Sequence, residues 1–185
     1  MQVLALYPRL LGAAWSTLPG PLRACHDAAP RLVATGRFRV THARSWLARL
    51  AIAMVGMPAA GDDVALRLEV RAEVDHQIWA RDFDGFRMTT IQSLLPDGRM
   101  GERRGFIEAL FDVTAESGEI VYRPAGLRLR LGRLRVPIPS WCGPRAQART
   151  WCVPGDDSMH VHVTIAAPVL GLLVTYSGAI APIDG

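Results

Sequence analysis

The chain has 185 residues, half of them apolar, and carries a formal net charge of +4 at pH 7. This length and composition exclude a disordered chain and favour a single domain, residues 1–185, with a sizeable core. All the basic side chains are arginines, because the sequence contains no lysine, so a lysine Schiff base is excluded. The arginines are scattered and form no dense basic block, so we expect no nucleic-acid partner.

The apolar stretches are too short or too interrupted to cross a bilayer, so we expect no transmembrane segment. Pro8 and Arg9 interrupt the N-terminal stretch where a signal peptide would be uniformly apolar. The three cysteines are an odd number, which fits a reducing compartment. A cytoplasmic protein is therefore expected.

Two helices are predicted before the first strand. Apolar residues recur at three- and four-residue spacing from Leu6 to Leu18, which is typical of a helix that buries one face. A Pro-Gly-Pro sequence at 19–21 interrupts this helix and can begin a second, short one that contains Cys25 and His26.

A third helix is predicted from Trp46 to Val55, after a strand at 36–41, with Ser45 as its N-cap. Arg49 is its only strongly polar interior residue, so we expect a core helix that is covered on several sides. The side chains expected to be buried are Trp46, Leu50 and Met54. The alternative is a helix that lines a ligand site or touches a membrane.

From Val64 onward, apolar and polar residues alternate as in strands with one wet face. The predicted strands are 64–74, 77–83, 86–93, 106–114, 119–123, 127–136, 145–151, 159–166 and 172–181. Hairpin signals such as Asp84-Gly85 and Ser117-Gly118 separate them. We therefore predict an α+β fold in which N-terminal helices precede a strongly curved, mainly antiparallel meander sheet. This sheet forms an open barrel or two packed sheets and wraps the apolar helix.

The stretch SWCGPR, residues 140–145, resembles half of a thioredoxin-type redox motif. The second thiol would fall at position 145, where Arg145 stands instead, so a redox pair is not predicted. We expect a stiff loop with Trp141 as an apolar plug. Cys142 and Cys152 could face each other across strands under oxidising conditions.

The stretch MHVHV places His160 and His162 on one face of a strand. Two histidines do not make a metal site, and no third ligand is singled out by spacing, so we expect no metal. An imidazole can still move a proton at neutral pH, which keeps His162 as a candidate acid or base.

The stretch WARDFDG places Trp79, Arg81 and Phe83 on one face of a strand. Two aromatic rings around a guanidinium suit an oxygen atom that sits beside an apolar skeleton. Glu102 could pair with Arg81 across strands, so a salt bridge on a half-buried face is the alternative interpretation. No nucleotide motif and no hydrolase elbow is present, and we expect no cofactor.

Several stretches together carry a resemblance to a known family. They are LYPRLLGAAWSTLP, WARDFDG, GERRGFIEALFDV, VPIPSWCGPRAQAR and APVLGLLVTYSG. Their order resembles the bacterial domain of unknown function 4166 family over nearly the whole chain. The resemblance implies association with small-molecule metabolism and a dehydrogenase-type partner in the same pathway, without assigning a reaction.

Three functions remain open. The first is a pocket protein that holds a hydrophobic small molecule or lipid between helix and sheet. The second is a cofactor-independent isomerase or cyclase of secondary metabolism, in which Arg81 polarises an oxygen and Glu102 or His162 moves a proton. In both cases the predicted lining residues are Trp79, Phe83, Met54 and Tyr176. The third is a structural or interaction domain, which a filled barrel interior would favour.

Overall fold

The protein folds into a closed antiparallel β-barrel with short helices at its two ends. The computed structural model describes residues 5–27 and 30–183. Ten strands form the ring in the order β1-β2-β3-β4-β5-β6-β7-β9-β10-β11, and β1 pairs with β11 to close it. An additional strand, β8, pairs only with the second half of β7. The strands are β1 (Arg31–His42), β2 (Gly61–Ala72), β3 (His76–Phe83), β4 (Phe86–Leu94), β5 (Met100–Arg104), β6 (Ile107–Glu116), β7 (Glu119–Leu131), β8 (Leu134–Ile138), β9 (Arg145–Trp151), β10 (Met159–Ala167) and β11 (Gly171–Pro182).

The N-terminal helices seal one end of the barrel, which we call the floor. They are α1 (Leu6–Leu11), a 3₁₀ helix (Gly12–Thr17) and α2 (Gly20–His26). The predicted single helix up to Leu18 breaks at Gly12, whose φ of 55° a helix cannot accommodate. Tyr7, Leu22 and His26 project into the core and are completely or almost completely buried.

The third helix, α3 (Trp46–Val55), joins β1 to β2 at the opposite end, which we call the mouth. The Ser45 hydroxyl accepts a hydrogen bond from the Ala48 amide, so the predicted N-cap is confirmed. The prediction that the sheet wraps this helix is wrong, because among its described side chains only Ala48 and Ile52 are buried. Trp46 is 72% exposed and Leu50 is 53% exposed. The helix lies at the mouth of the closed ring, where Ala48 and Ile52 pack against the core and Val55 lines the cavity opening.

The predicted curved antiparallel sheet is confirmed, but the sheet closes on itself through the β1–β11 pairing, so the expected open barrel or pair of packed sheets is wrong, and the fold is mostly sheet. Some strand boundaries also differ. The short strand β5 was not expected, and β7 continues through residues 124–126, where a bulge opposite Leu110 absorbs the irregular Pro-Ala-Gly sequence. The predicted strand 127–136 is a hairpin instead, because the chain turns at Gly132, whose φ is 61°.

Closure of the ring depends on close contact between β1 and β11. Gly178 pairs with Phe38, and a methyl group added at Gly178 would overlap the Arg37 carbonyl oxygen and the Phe38 ring. Gly36 faces the Ala179 carbonyl in the same way. Two glycines therefore let the first and last strands lie side by side.

None of the described helices is long and apolar enough to cross a bilayer.

Candidate functional site

The barrel interior contains a cavity of about 660 Å³. It runs from Tyr7 and His26 at the floor to Val55, Gly56 and Arg104 at the mouth. Most of the lining is aliphatic or aromatic, and it comes from strands on all sides of the ring. A cavity of this size and character lies within the range of small-molecule sites.

A compact polar cluster on β3, β4 and β5 interrupts the apolar wall. The Arg81 guanidinium donates to the Thr90 hydroxyl (2.8 Å) and to Glu102 Oε1 (3.4 Å). The Thr90 hydroxyl donates to the same Glu102 oxygen at 2.7 Å. The Arg81 and Glu102 side chains are only 15% and 22% exposed. We call these three residues the polar cluster.

The polar cluster leaves hydrogen-bonding capacity unused within the described residues. A guanidinium has five N–H donors, and Arg81 uses one towards Thr90 and one towards Glu102. The second carboxylate oxygen of Glu102 accepts no hydrogen bond from the described residues. A ligand hydroxyl could therefore accept from Arg81 and donate to Glu102.

The Trp79 ring packs against the guanidinium of Arg81 and helps to hold it in position. The Arg81 guanidinium carbon lies 5.2 Å from the ring centre, within the range of a cation–π interaction. The Trp79 indole N–H donates to Gln77 (3.1 Å), and the Gln77 amide donates to the His26 carbonyl at the end of α2. This link from β3 to the floor helix holds the tryptophan in place.

Three aromatic rings form the wall beside the polar cluster. Phe83 meets Phe38 with ring centres 5.9 Å apart and Tyr176 with ring centres 6.0 Å apart, both edge-on. Burial raises the pKa of Tyr176 to about 12, while nearby Arg81 lowers it and Glu102 raises it. Tyr176 is therefore a neutral phenol at physiological pH.

A second polar group forms the floor of the cavity. His26 Nε2 lies 3.0 Å from the Tyr122 hydroxyl, which lies 3.1 Å from the Tyr7 hydroxyl. Tyr7 in turn contacts Gln92 Oε1 at 2.9 Å. We call these four residues the floor chain.

The protonation of His26 sets the direction of the floor chain. Its Nδ1 lies 2.8 Å from the Leu22 carbonyl oxygen, which can only accept, so Nδ1 carries a proton. Burial lowers the pKa of His26 to about 4, against the opposing effect of that backbone bond, so Nε2 accepts from Tyr122 at neutral pH. A proton added to Nε2 would turn the Tyr122 hydroxyl towards Tyr7.

One buried hydroxyl makes no hydrogen bond of normal geometry in the described part of the chain. Thr150 is 5% exposed and lines the cavity on β9, and its Oγ1 lies beside the Tyr122 hydroxyl without the alignment of a full hydrogen bond. An unpaired buried hydroxyl costs about 1–3 kcal/mol. A ligand or water in the cavity could satisfy it.

The structure brings together most of the side chains predicted for the site. Trp79, Arg81, Phe83, Glu102 and Tyr176 all line the cavity. Their roles remain predictions. Met54 belongs to α3, but its side chain lies outside the described residues.

His162 does not join them. Strand alternation directs Val161 and Val163 into the cavity, so His160 and His162 lie on the outer wall of β10. There His160 stacks on Trp151 and contacts Asp156, while His162 contacts Thr164. Placement of His162 as an inward acid or base is therefore wrong. In residues 5–27 and 30–183, no group of three or more His, Cys, Asp or Glu could hold a metal ion.

The expectations for the cysteines and Trp141 also need correction. Cys142 lies in the exposed loop before β9 and Cys152 follows its end, so the two occupy opposite ends of the barrel and do not face each other. Trp141 is 74% exposed and does not plug the interior. Burial raises the pKa of the Cys25 thiol to about 12, which makes it a poor nucleophile.

Sequence reasoning missed the polar residues of the neighbouring strands. Met88, Thr90 and Gln92 follow one another at two-residue spacing on one face of β4, and that period-two pattern in FRMTTIQS was the available signal. Tyr7 and His26 carried no such signal, because they lie 115 and 96 positions, respectively, from Tyr122, with which both make contact.

Comparison with known proteins identifies the family. The family model described as Domain of unknown function (DUF4166) matches residues 18–180. This chain belongs to the DUF4166 family. No curated protein and no solved structure matches it significantly. The DUF4166 match includes every strand of the ring, but it begins after α1, so Tyr7 precedes it.

Proposed function

We propose that this DUF4166 protein binds a hydrophobic small molecule or lipid with a neutral oxygen-bearing end inside the barrel. The carrying observation is the combination of a large, mainly apolar cavity with one polar cluster on its wall. An empty cavity of about 660 Å³ would forfeit dispersion contacts, and water filling it would find few partners. An apolar occupant restores those contacts.

The charges of the polar cluster support a neutral ligand group. Arg81 and Glu102 already balance each other at 3.4 Å, so a carboxylate or phosphate would have to compete with Glu102. A hydroxyl can use the unused donors of Arg81 and the free Glu102 oxygen together. We therefore expect an alcohol to bind more tightly than a hydrocarbon or a fatty acid of equal length.

The first experiment is native mass spectrometry of the purified protein, to find an apolar molecule that co-purifies. The second is a displacement titration with a fluorescent apolar probe and three competitors of equal chain length: an alcohol, an acid and an alkane. Preference for the alcohol supports the proposal. Absence of probe binding by a folded protein would contradict it.

The chain offers a matched control for the role of Arg81. Arg149 lies over Trp151 on the outer wall, with its guanidinium carbon 5.1 Å from the ring centre, in the same arrangement as Arg81 over Trp79. Arg81→Met should weaken alcohol binding about tenfold or more, as a lost charged hydrogen bond implies. Arg149→Met should leave it unchanged. Equal effects of the two substitutions would contradict binding at the polar cluster.

A second candidate is a cofactor-independent isomerase or cyclase. The specific observation that favours it is a free carboxylate oxygen of Glu102 next to the guanidinium of Arg81, which would pair a base with an oxyanion stabiliser. Incubation of the co-purified ligand with the protein in D₂O would reveal proton exchange at carbon. In that case Glu102→Gln should abolish exchange and retain binding, whereas a pure binding protein would exchange nothing.

The third function, a purely structural domain, predicted an interior filled by side chains. The cavity gives that alternative no support.

A further inference from the structure

The two ends of the barrel differ in exposed apolar surface. Large exposed apolar side chains concentrate at the mouth, in the elements and connections that surround the cavity opening. They are Trp46, Leu47, Leu50 and Val55 on α3, Phe106 before β6 and Ile107 at its start, Leu131, Leu134 and Val136 on the β7–β8 hairpin, Trp141 before β9, Val169 between β10 and β11, and Leu172 at the start of β11. At the floor, the exposed large apolar residues among those described are Val74, Val153 and Ile183. Such a concentration marks an interaction surface.

Charge is divided between the ends in the same way. The connections and strand ends at the mouth carry an excess of arginine. These residues are Arg44, Arg49, Arg104, Arg133 and Arg145, against Asp84 and against Asp62 and Asp63, which pair with Arg39 and Arg37. The helices, connections and strand ends at the floor carry an excess of carboxylates. These residues are Asp27, Glu73, Asp75, Asp97, Glu116, Glu119, Asp156 and Asp157, against Arg9, Arg23, Arg31 and Arg99.

The mouth arginines are available to a partner. Arg44, Arg49 and Arg133 form no salt bridge with any described residue, whereas floor carboxylates such as Glu116 are already paired, in that case with Arg123. Arg104 donates instead to the carbonyl oxygens of Val55 and Gly56, at 3.0 and 2.6 Å. This contact holds the end of α3 at the cavity opening, with Trp46 and Leu50 facing outward.

We propose that the mouth docks on the surface of an anionic phospholipid bilayer, where the cavity exchanges its apolar ligand with the lipid. Exposed tryptophan and leucine beside unpaired arginine match the boundary between headgroups and acyl chains. The net negative floor is repelled by the same surface, so the charge distribution favours the orientation in which the cavity opening faces the membrane. The exchange step rests on the proposed ligand-binding function, whereas the docking step does not.

The test is co-sedimentation of the protein with vesicles of phosphatidylcholine alone and of phosphatidylcholine mixed with phosphatidylglycerol. We expect binding to the anionic vesicles, a blue shift of tryptophan emission, and weakening by salt. Arg44→Gln and Arg49→Gln should each weaken binding about fivefold. Trp46→Ser combined with Leu50→Ser should weaken it about tenfold or more. The matched floor variants Val74→Ser and Arg99→Gln should bind as the unchanged protein does.

Docking would be overturned by equal binding to neutral and anionic vesicles, or by no binding to either. It would also be overturned by a dimer in solution that Trp46→Ser dissociates. That result would mean that a second copy of the chain covers the mouth. The substituted residues are exposed, and circular dichroism would verify that each variant is folded.

Titration with the fluorescent apolar probe in the absence of vesicles separates the docking proposal from the ligand-binding proposal. Probe binding without vesicle binding contradicts docking alone, and vesicle binding without probe binding contradicts the ligand site alone.

Discussion

Arg81 on β3 reaches Glu102 on β5 across the intervening strand β4, with 3.4 Å between Nη2 and Oε1. Thr90 of β4 bridges the gap by contacting both side chains. Three adjacent strands are therefore tied together on the inner wall by side chains as well as by their backbone ladders. Because each side chain of this ion pair is less than a quarter exposed, removal of one partner leaves the other poorly solvated and without its counter-charge.

Substitution of either partner should destabilise the fold through the partner that remains. Arg81→Met and Glu102→Gln should each lower the free energy of unfolding by about 1–3 kcal/mol, because the other side chain is left half-buried without its main contact. The double variant should lose less than the sum of the two. Urea denaturation of all four proteins measures the coupling, and strict additivity would contradict it.

His26 should give the protein a pH-dependent stability. Its pKa is lowered by burial from 6.5 to about 4, so between these values the unfolded chain binds a proton that the folded chain does not. Stability is therefore lost as the pH falls through this window, by about 2 kcal/mol between pH 7.5 and pH 5. His26→Gln should lack this loss. Denaturation curves at the two pH values would refute the assignment if both proteins showed the same difference.

Gly178 should be intolerant of a side chain. Gly178→Ala should cost about 2–4 kcal/mol, because the added methyl group overlaps the Arg37 carbonyl and the Phe38 ring in the seam that closes the barrel. Gly20→Ala is the control, since nothing lies within 4 Å of a methyl group there and α2 begins at that residue. Thermal unfolding compares them, and similar melting temperatures would show that the seam yields.

The two faces of α3 should respond differently to truncation. Ile52→Ala should cost about 2–4 kcal/mol, because Ile52 is buried against the barrel. Leu50→Ala should cost less than about 1 kcal/mol, because Leu50 is exposed. A large loss for Leu50→Ala in chemical denaturation would instead place that side chain in the core.

Strand alternation made much of the wall predictable. Trp79, Arg81 and Phe83 share a face because side chains alternate along any strand, and exposure of two large aromatic rings on that face to water would be unfavourable. Two features depend instead on the register between distant strands. One is whether the sheet closes, and the other is which face of the strand that contains His162 points into the barrel. Register is not encoded in any one local pattern.

The apolar composition of α3 misrepresented how much of the helix is buried. A helix with apolar residues on all sides is typical of a core, because burial is the usual reason for such a composition. Here one face, with Ala48 and Ile52, packs against the barrel, whereas the other apolar face, with Trp46 and Leu50, is exposed. Local pattern establishes that an apolar face needs a partner, but it does not identify the partner.

Tyr7 closes the floor of the cavity from α1, and the DUF4166 match begins at residue 18, after that helix. A chain cut to begin at residue 18 would keep the strands of the ring and α2 with His26, but it would lose the Tyr7 ring and hydroxyl from the floor. The first helix therefore determines how completely the cavity is sealed from solvent at the end opposite its opening.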